Sequence, residues 1–179
     1  MSAATVSPVP DDVFAALGAF IQTVLGTGIP VIRGIDNEVP MPAASPGFVN
    51  MTALFQIPLA TNQDTWDETN AAPTEFSVER DTRIDIQMDC YGAASGSWAA
   101  MLSTLLRDQY GCAQLAPNCQ PLYAEDARML PLEDGEDQYE ERWAVTAAIQ
   151  YNPVTVLPMQ FADTLDVGLI NVDVVYPAT

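Results

Sequence analysis

The feature that most constrains the fold is the segment "TEFSVERDTRIDIQMDCYG", residues 74–92. In it, mostly apolar positions alternate with polar positions in an unbroken two-residue period. Alternate positions from Phe76 to Cys90 are mostly apolar, and those from Glu75 to Tyr91 are polar and mostly acidic. Side chains alternate across a strand, so the segment predicts a β-strand with one buried face and one wet face. At about 3.3 Å per residue, an unbroken strand of this length would reach roughly 50 Å, far beyond the usual five or six residues. The chain must therefore fold around a sheet that can use such a strand.

The flanking segments predict two helices and further strands. A helical stripe of apolar residues follows Asp11 and Asp12 and stops at Gly26. The other predicted elements are a short strand in "IPVIRG", a strand over 48–59, a helix over 97–110 ended by Gly111, a hairpin over 128–151 that turns at Asp134 and Gly135, and a last strand over about 165–176. This order predicts an α+β fold, a mainly antiparallel β-sheet with a long hairpin and two packed α-helices.

The length of the chain suits one domain, residues 1–179. We expect residues 1–10, which contain prolines, to form a flexible N-terminal tail. The strands 48–59 and 75–91 are expected to pair as the long hairpin, with the polar segment 60–74 as an extended loop at its tip. Loops of this length without structure of their own tend to be functional or mobile.

The charge balance excludes several classes of function. The chain has 24 acidic and 6 basic residues, all six of them Arg, and its formal net charge is −18. Such a charge opposes binding to nucleic acid and to anionic membranes. Since there is no His or Lys, the usual general bases and Schiff-base nucleophiles are missing, and no metal site, cofactor or catalytic residue is predicted.

The N-terminal sequence and the cysteines indicate where the protein folds. "MSAATVSPVPDD" lacks the features of a signal peptide, and the longest apolar stretch is too short to span a bilayer. We therefore expect a soluble protein that folds where it is made. Cys90 falls on the buried parity of its strand. Cys112 and Cys119 flank a turn-forming Pro117 and could meet in a disulfide, although free thiols are favoured in a cytosolic product.

The acids of the 60–74 loop leave two interpretations open. Asp64, Asp67 and Glu68 could hold a divalent ion weakly, but Trp66 among them suits a partner-contact loop better, since aromatic residues commonly anchor interfaces. The alternative for Trp66 is a side chain folded back over its own hairpin. The four residues are predicted to contact a partner.

The second half of the chain resembles a known family. Residues 121–177, with the segments "YEERW", "QYNP" and "FADTLDVGLINVD", are similar to the neck or tail-terminator proteins of long-tailed bacteriophages. Upstream, "ERDTRIDIQMDCYG" and the helix at "WAAMLSTLLRDQYG" are similar as well, so the resemblance covers most of the chain after about residue 30. It identifies a family and carries no catalytic residues.

The resemblance implies a virion protein of the tail neck, assembled in the host cytoplasm. Such a protomer would form a homo-hexameric ring on the last ring of the tail-tube protein, end tube growth and present a surface to the head-completion or connector protein, with the sheath protein as a further partner. DNA would pass through the ring without specific binding. Six copies at −18 each would carry −108 formal charges around that bore. On this basis we expect Glu79, Asp81, Asp85 and Asp89 to line or flank the channel.

Three other interpretations stay open from the residues alone. A tail-tube or head-completion protein of the same neck would stack or join differently. A small acidic hydrolase, with or without a metal, would need paired carboxylates in a cleft. A monomeric acidic module that mimics nucleic acid would not form rings.

Overall fold

The structure, a computed structural model, describes residues 3–34, 42–43, 45–67, 75–115, 117, 119–130, 132–133, 139–158 and 168. Its elements, in chain order, are β1 (Thr5–Ser7), α1 (Pro10–Leu25), β2 (Val31–Arg33), β3 (Phe48–Pro58), β4 (Gln63–Asp67), β5 (Glu75–Glu79), β6 (Thr82–Tyr91), α2 (Ser95–Leu105), α3 (Gln109–Leu115), β7 (Gln120–Ala124), β8 (Arg128–Met129), β9 (Leu132–Glu133), β10 (Tyr139–Glu140), β11 (Arg142–Tyr151) and β12 (Val154–Pro158).

The main sheet has the strand order β2-β3-β6-β11-β7, and β8 also pairs with β11. All its pairs are antiparallel except the short β2, which runs parallel to β3. The predicted fold class, α+β with a mainly antiparallel sheet, is confirmed. No helix in the described ranges is long and apolar enough to cross a membrane.

A second sheet, in the order β1-β12-β5-β4, continues from one end of the main sheet. Pro58, Thr82 and Tyr151 lie side by side at that end, as the last or first residues of β3, β6 and β11. From this row each chain segment passes into the second sheet within a few residues. The strand pairs β3–β6 and β4–β5 are thus the two halves of the long hairpin that the sequence predicts.

The long strand of residues 75–91 bends between its two halves at Arg80 and Asp81. β5 pairs with β12 and β4, whereas β6 pairs with β3 and β11, so the chain changes partners at the bend. The Arg80 N–H donates to the carbonyl of Pro153, and the Asp81 carbonyl accepts from the N–H of Leu59. These bonds satisfy the backbone where both ladders are interrupted. One alternating segment is therefore long because it serves two sheets.

The hydrophobic core lies between the main sheet and the helices. The even-numbered residues of β6, from Thr82 to Cys90, are all buried, as the alternation predicts. Helix α1 faces this core with the predicted apolar stripe and ends before Gly26, whose φ of +110° favours glycine. The large, fully buried side chains are Leu17, Ile21, Ile84, Ile86, Met88, Leu102, Leu106, Leu115, Ile149, Val13, Val49 and Val145.

The helix predicted over 97–110 is interrupted at residues 106–108. Helix α2 ends at Leu105, and a separate helix, α3, begins at Gln109 and contains Gly111. A Cβ on Gly111 would lie 2.5 Å from the carbonyl oxygen of Leu105. Gly111 therefore allows the backbone of α3 to lie close to that of Leu105 at the end of α2, and it does not end a helix.

Several other predicted segments contain structure. The expected tail, residues 1–10, includes β1, which pairs with β12, and the loop of residues 60–74 includes β4. Strands β9 and β10 pair as the predicted hairpin requires. The turn at Asp134 and Gly135 lies outside the described residues, as does the predicted strand over 165–176 apart from Gly168.

Candidate assembly surfaces

Two of the four predicted channel carboxylates are neutralised within the protomer. Asp85 and Asp89 lie on the face of the main sheet opposite the helices, yet they are only 4% and 3% exposed. Arg83 donates two hydrogen bonds to Asp85, one of them 2.6 Å long. Arg142, from the neighbouring strand β11, donates to Asp89 through Nε at 3.1 Å and Nη2 at 2.9 Å. Each aspartate therefore contributes little net charge to this face.

The other two predicted carboxylates lie at the bend between the sheets. Glu79 ends β5, and its Oε1 accepts a hydrogen bond of 3.2 Å from Asn152. Asp81 is half-exposed. Neither forms an ion pair with an arginine in the described part of the chain. These two residues therefore keep their charge unbalanced, unlike Asp85 and Asp89.

The three cysteines are free thiols in the structure. Burial raises the pKa of Cys90 to about 12 and that of Cys119 to about 11. Both thiols are thus protonated at neutral pH and are poor nucleophiles. Cys112 is half-buried. Among the described residues there is no group of three or more His, Cys, Asp or Glu placed to hold a metal ion.

Two stretches of strand edge in the main sheet have no strand partner among the described residues. Strand β2 covers β3 only at residues 49–51, so the outer edge of residues 52–58 is open. Strand β7 pairs with β11 on one side only. An open edge presents unpaired N–H and C=O groups and is a template for pairing with another chain. We call these stretches the β3 edge (residues 52–58) and the β7 edge (residues 120–124).

Both edges carry exposed apolar side chains. Leu54, Phe55 and Ile57 are exposed on the β3 edge, and Leu122 and Tyr123 are exposed on the β7 edge. These residues were not predicted from the sequence. The available signal was that apolar residues occupy both parities of "ALFQIPL", which indicates that a second face of the strand needs a cover.

The two edges lie at the same end of the main sheet. Phe55 pairs with Asp85, Asp85 with Ala148, and Ala148 with Tyr123, so one cross-strand row joins them. The antiparallel order from β3 through β6 and β11 makes β7 run opposite to β3. The β7 edge of one copy can therefore pair antiparallel with the β3 edge of a second copy that has the same orientation.

Three of the four predicted partner-contact residues lie in the second sheet. The Trp66 ring packs against that of Phe76, with centroids 4.2 Å apart and planes tilted by 34°, and Trp66 remains 51% exposed. Trp66 therefore packs on its own hairpin, and its contact with a partner stays a prediction. Asp64 shares its face of β4, Asp67 ends the strand opposite Glu75, and Glu68 lies outside the described residues.

Comparisons with known proteins agree with the resemblance seen in the sequence. The family model of the phage neck terminator protein matches residues 11–176, and the chain belongs to that family. A comparison with curated proteins finds no match for the chain. Family membership supports a structural protein of the virion tail that interacts with other tail or head proteins, rather than an enzyme.

Proposed function

We propose that this phage neck terminator protein works by closing into a homo-hexameric ring that caps the tail tube. The ring ends tube elongation and joins the tail to the head connector. The observation that carries the proposal is the pair of open edges at one end of the main sheet, on opposite sides and in opposite directions. Two different patches that meet head to tail give a heterologous interface, which generates a ring when the rotation closes.

The proposal includes the predicted channel residues, with different roles. The face of the main sheet opposite the helices borders the bore, and Asp85 and Asp89 form its neutral, ion-paired part. Glu79 and Asp81, at the end of the sheet, supply the unbalanced charge that repels DNA phosphates. Because only repulsion is required, no base contact or fixed binding site is needed. DNA then slides past a surface that does not hold it.

Electron microscopy tests the assembly. In negative stain, purified protein alone or with tail tubes is expected to form single rings or rings at tube ends. A terminator must present different surfaces above and below its ring, so further rings should not add. Long stacks of the protein alone would instead identify it as a tube protein and contradict the proposal.

A charge reversal tests the acidic bore. We expect Glu79→Lys with Asp81→Lys to give rings that bind duplex DNA at low salt, with an affinity that falls steeply as salt is added. The unchanged ring should not bind. The matched control is Asp12→Lys with Asp108→Lys, which adds the same charge to α1 and next to α3 on the helical side at exposed acids that form no ion pair with a described residue. Filter binding measures all three proteins, and equal binding by both variants would contradict a role for Glu79 and Asp81 at the bore.

A further inference from the structure

A groove lies where the two sheets meet, and its lining includes Ile57 from the end of the β3 edge. Its volume is about 500 Å³, and its lining includes Val6, Ile57, Val78, Arg80, Tyr151 and Thr155. One wall is the second sheet, where Val6, Thr155 and Val78 are direct neighbours on adjacent strands. The opposite wall is the end of β3. We call this the Arg80 groove.

Arg80 differs from the other arginines. The remaining five each form an ion pair with an aspartate or glutamate, in a chain where carboxylates outnumber guanidinium groups four to one. Arg80 forms none with any residue that the structure describes. It is exposed and lies at the groove with its backbone fixed by Pro153. A guanidinium in this position offers several donors to an incoming carboxylate.

Glu79 and Asp81 flank Arg80 in the sequence, but no carboxylate is among the described residues that line the groove. Tyr151 lies in the groove, and its hydroxyl donates to Gln56 at 3.2 Å. Burial raises the pKa of Tyr151, and the charge of Arg80 acts in the opposite direction. The guanidinium therefore exerts its field inside the groove, where partial removal of water strengthens its interaction with an anion.

An apolar strip continues from the groove along the same face of the second sheet. Phe76, Val78 and Arg80 occupy alternate positions of one segment. The side chains of Phe76 and Val78 therefore lie on one face of β5, in a row that points toward the Arg80 guanidinium. Beside Phe76 lie the exposed side chains of Trp66 on one neighbouring strand and Leu157 on the other. The surface thus presents apolar side chains on neighbouring strands, and next to them lies the positive charge of Arg80, which is not paired with any described residue.

We propose that this surface binds an extended segment of a partner protein whose alternate side chains are apolar and one of which is a carboxylate. An extended ligand places every second side chain on one face, which matches the spacing of Phe76, Val78 and Arg80. Its apolar side chains cover the strip, and its carboxylate pairs with Arg80. The site shares Ile57 with the β3 edge, but Phe76, Val78 and Arg80 belong to neither edge, so the inference goes beyond ring closure.

A random heptapeptide library, selected on the purified protein, tests the inference. We expect enriched peptides to carry one Asp or Glu with apolar residues two positions away. Affinity of a labelled consensus peptide, measured by fluorescence anisotropy, should fall by roughly tenfold or more in Arg80→Gln, as expected for loss of a charged hydrogen bond. Asp→Asn or Glu→Gln in the peptide should cause the same loss. The matched control, Arg128→Gln, removes an exposed arginine elsewhere and should leave the affinity unchanged.

Other occupants give different results. Equal binding to Arg80→Gln, or selection of peptides without a carboxylate, would overturn the inference. Competition by free glutamate as effective as that by the peptide would reduce the site to a simple anion site and also overturn it. If Arg80→Gln instead abolished self-association while no peptide bound, the occupant would be a second copy. Rings formed normally by Arg80→Gln would leave the proposed function intact in every case.

Discussion

Protein carrying Phe55→Lys and Ile57→Lys will fail to form rings under conditions in which the unchanged protein forms them. Both side chains are exposed apolar groups on the β3 edge, and a charged edge resists strand pairing. Pairing with a β7 edge would bury the ammonium groups without counter-ions, which is strongly unfavourable. Size-exclusion chromatography with light scattering and negative stain measures the result. The assay is run alone and with tail tubes, so that assembly that requires the tube is also detected.

The control for this prediction is Met101→Lys, an exposed apolar residue on α2. It introduces one of the same charges on the helical side and should assemble normally. The edge variant should also keep its melting temperature, since surface substitutions usually change stability little. Rings formed by the edge variant, or equal loss in Met101→Lys, would show that the β3 edge is not the interface.

A mixing experiment separates head-to-tail closure from a symmetric dimer. Leu122→Lys with Tyr123→Lys blocks the β7 edge and leaves the β3 edge intact. When it is mixed with the β3-edge variant (Phe55→Lys with Ile57→Lys), only one contact can form. The intact β3 edge of the first protein pairs with the intact β7 edge of the second. The expected product is a heterodimer that grows no further. Homodimers of either variant alone would contradict the heterologous interface.

Local pattern was sufficient for much of the fold. The alternation in β6, the stripe of α1 and the pairing of β3 with β6 depend on residues close in sequence or on a strict two-residue period. The bend at Arg80 could not be predicted, because both sides of it keep the same alternation. It becomes defined only by the strands that pair on each side, and β11 and β12 are some 60 to 80 residues away in sequence.

The candidate site was less predictable for the same reason. The sequence presents Asp85 and Asp89 as part of a continuous acidic stripe, and their burial depends on arginine side chains that lie over them. Arg83 is two residues from Asp85, but Arg142 is 53 residues from Asp89 and reaches it only through the β6–β11 pairing. Charge counted along a strand therefore overstates the charge that the folded face presents.

Replacing Arg142 by alanine will strongly destabilise the protomer. Asp89 is 3% exposed, and the Arg142 side chain, 23% exposed, supplies two of its hydrogen bonds. Removing one member of a buried ion pair leaves an uncompensated charge and costs about 3–5 kcal/mol. For a chain of this size that corresponds to a fall of roughly 10 °C in melting temperature. Thermal and urea unfolding measure the change.

The control for this prediction is Arg128→Ala. Arg128 pairs with Glu125 at 3.2 Å on the exposed edge of the sheet, where an ion pair contributes about 1 kcal/mol or less. Asp89→Leu with Arg142→Met removes both charges and should recover most of the stability, because a buried pair is often replaceable by apolar residues. If Arg142→Ala behaved like Arg128→Ala, Asp89 would be hydrated in solution, and this face of the main sheet would carry the negative charge that the alternation first suggested.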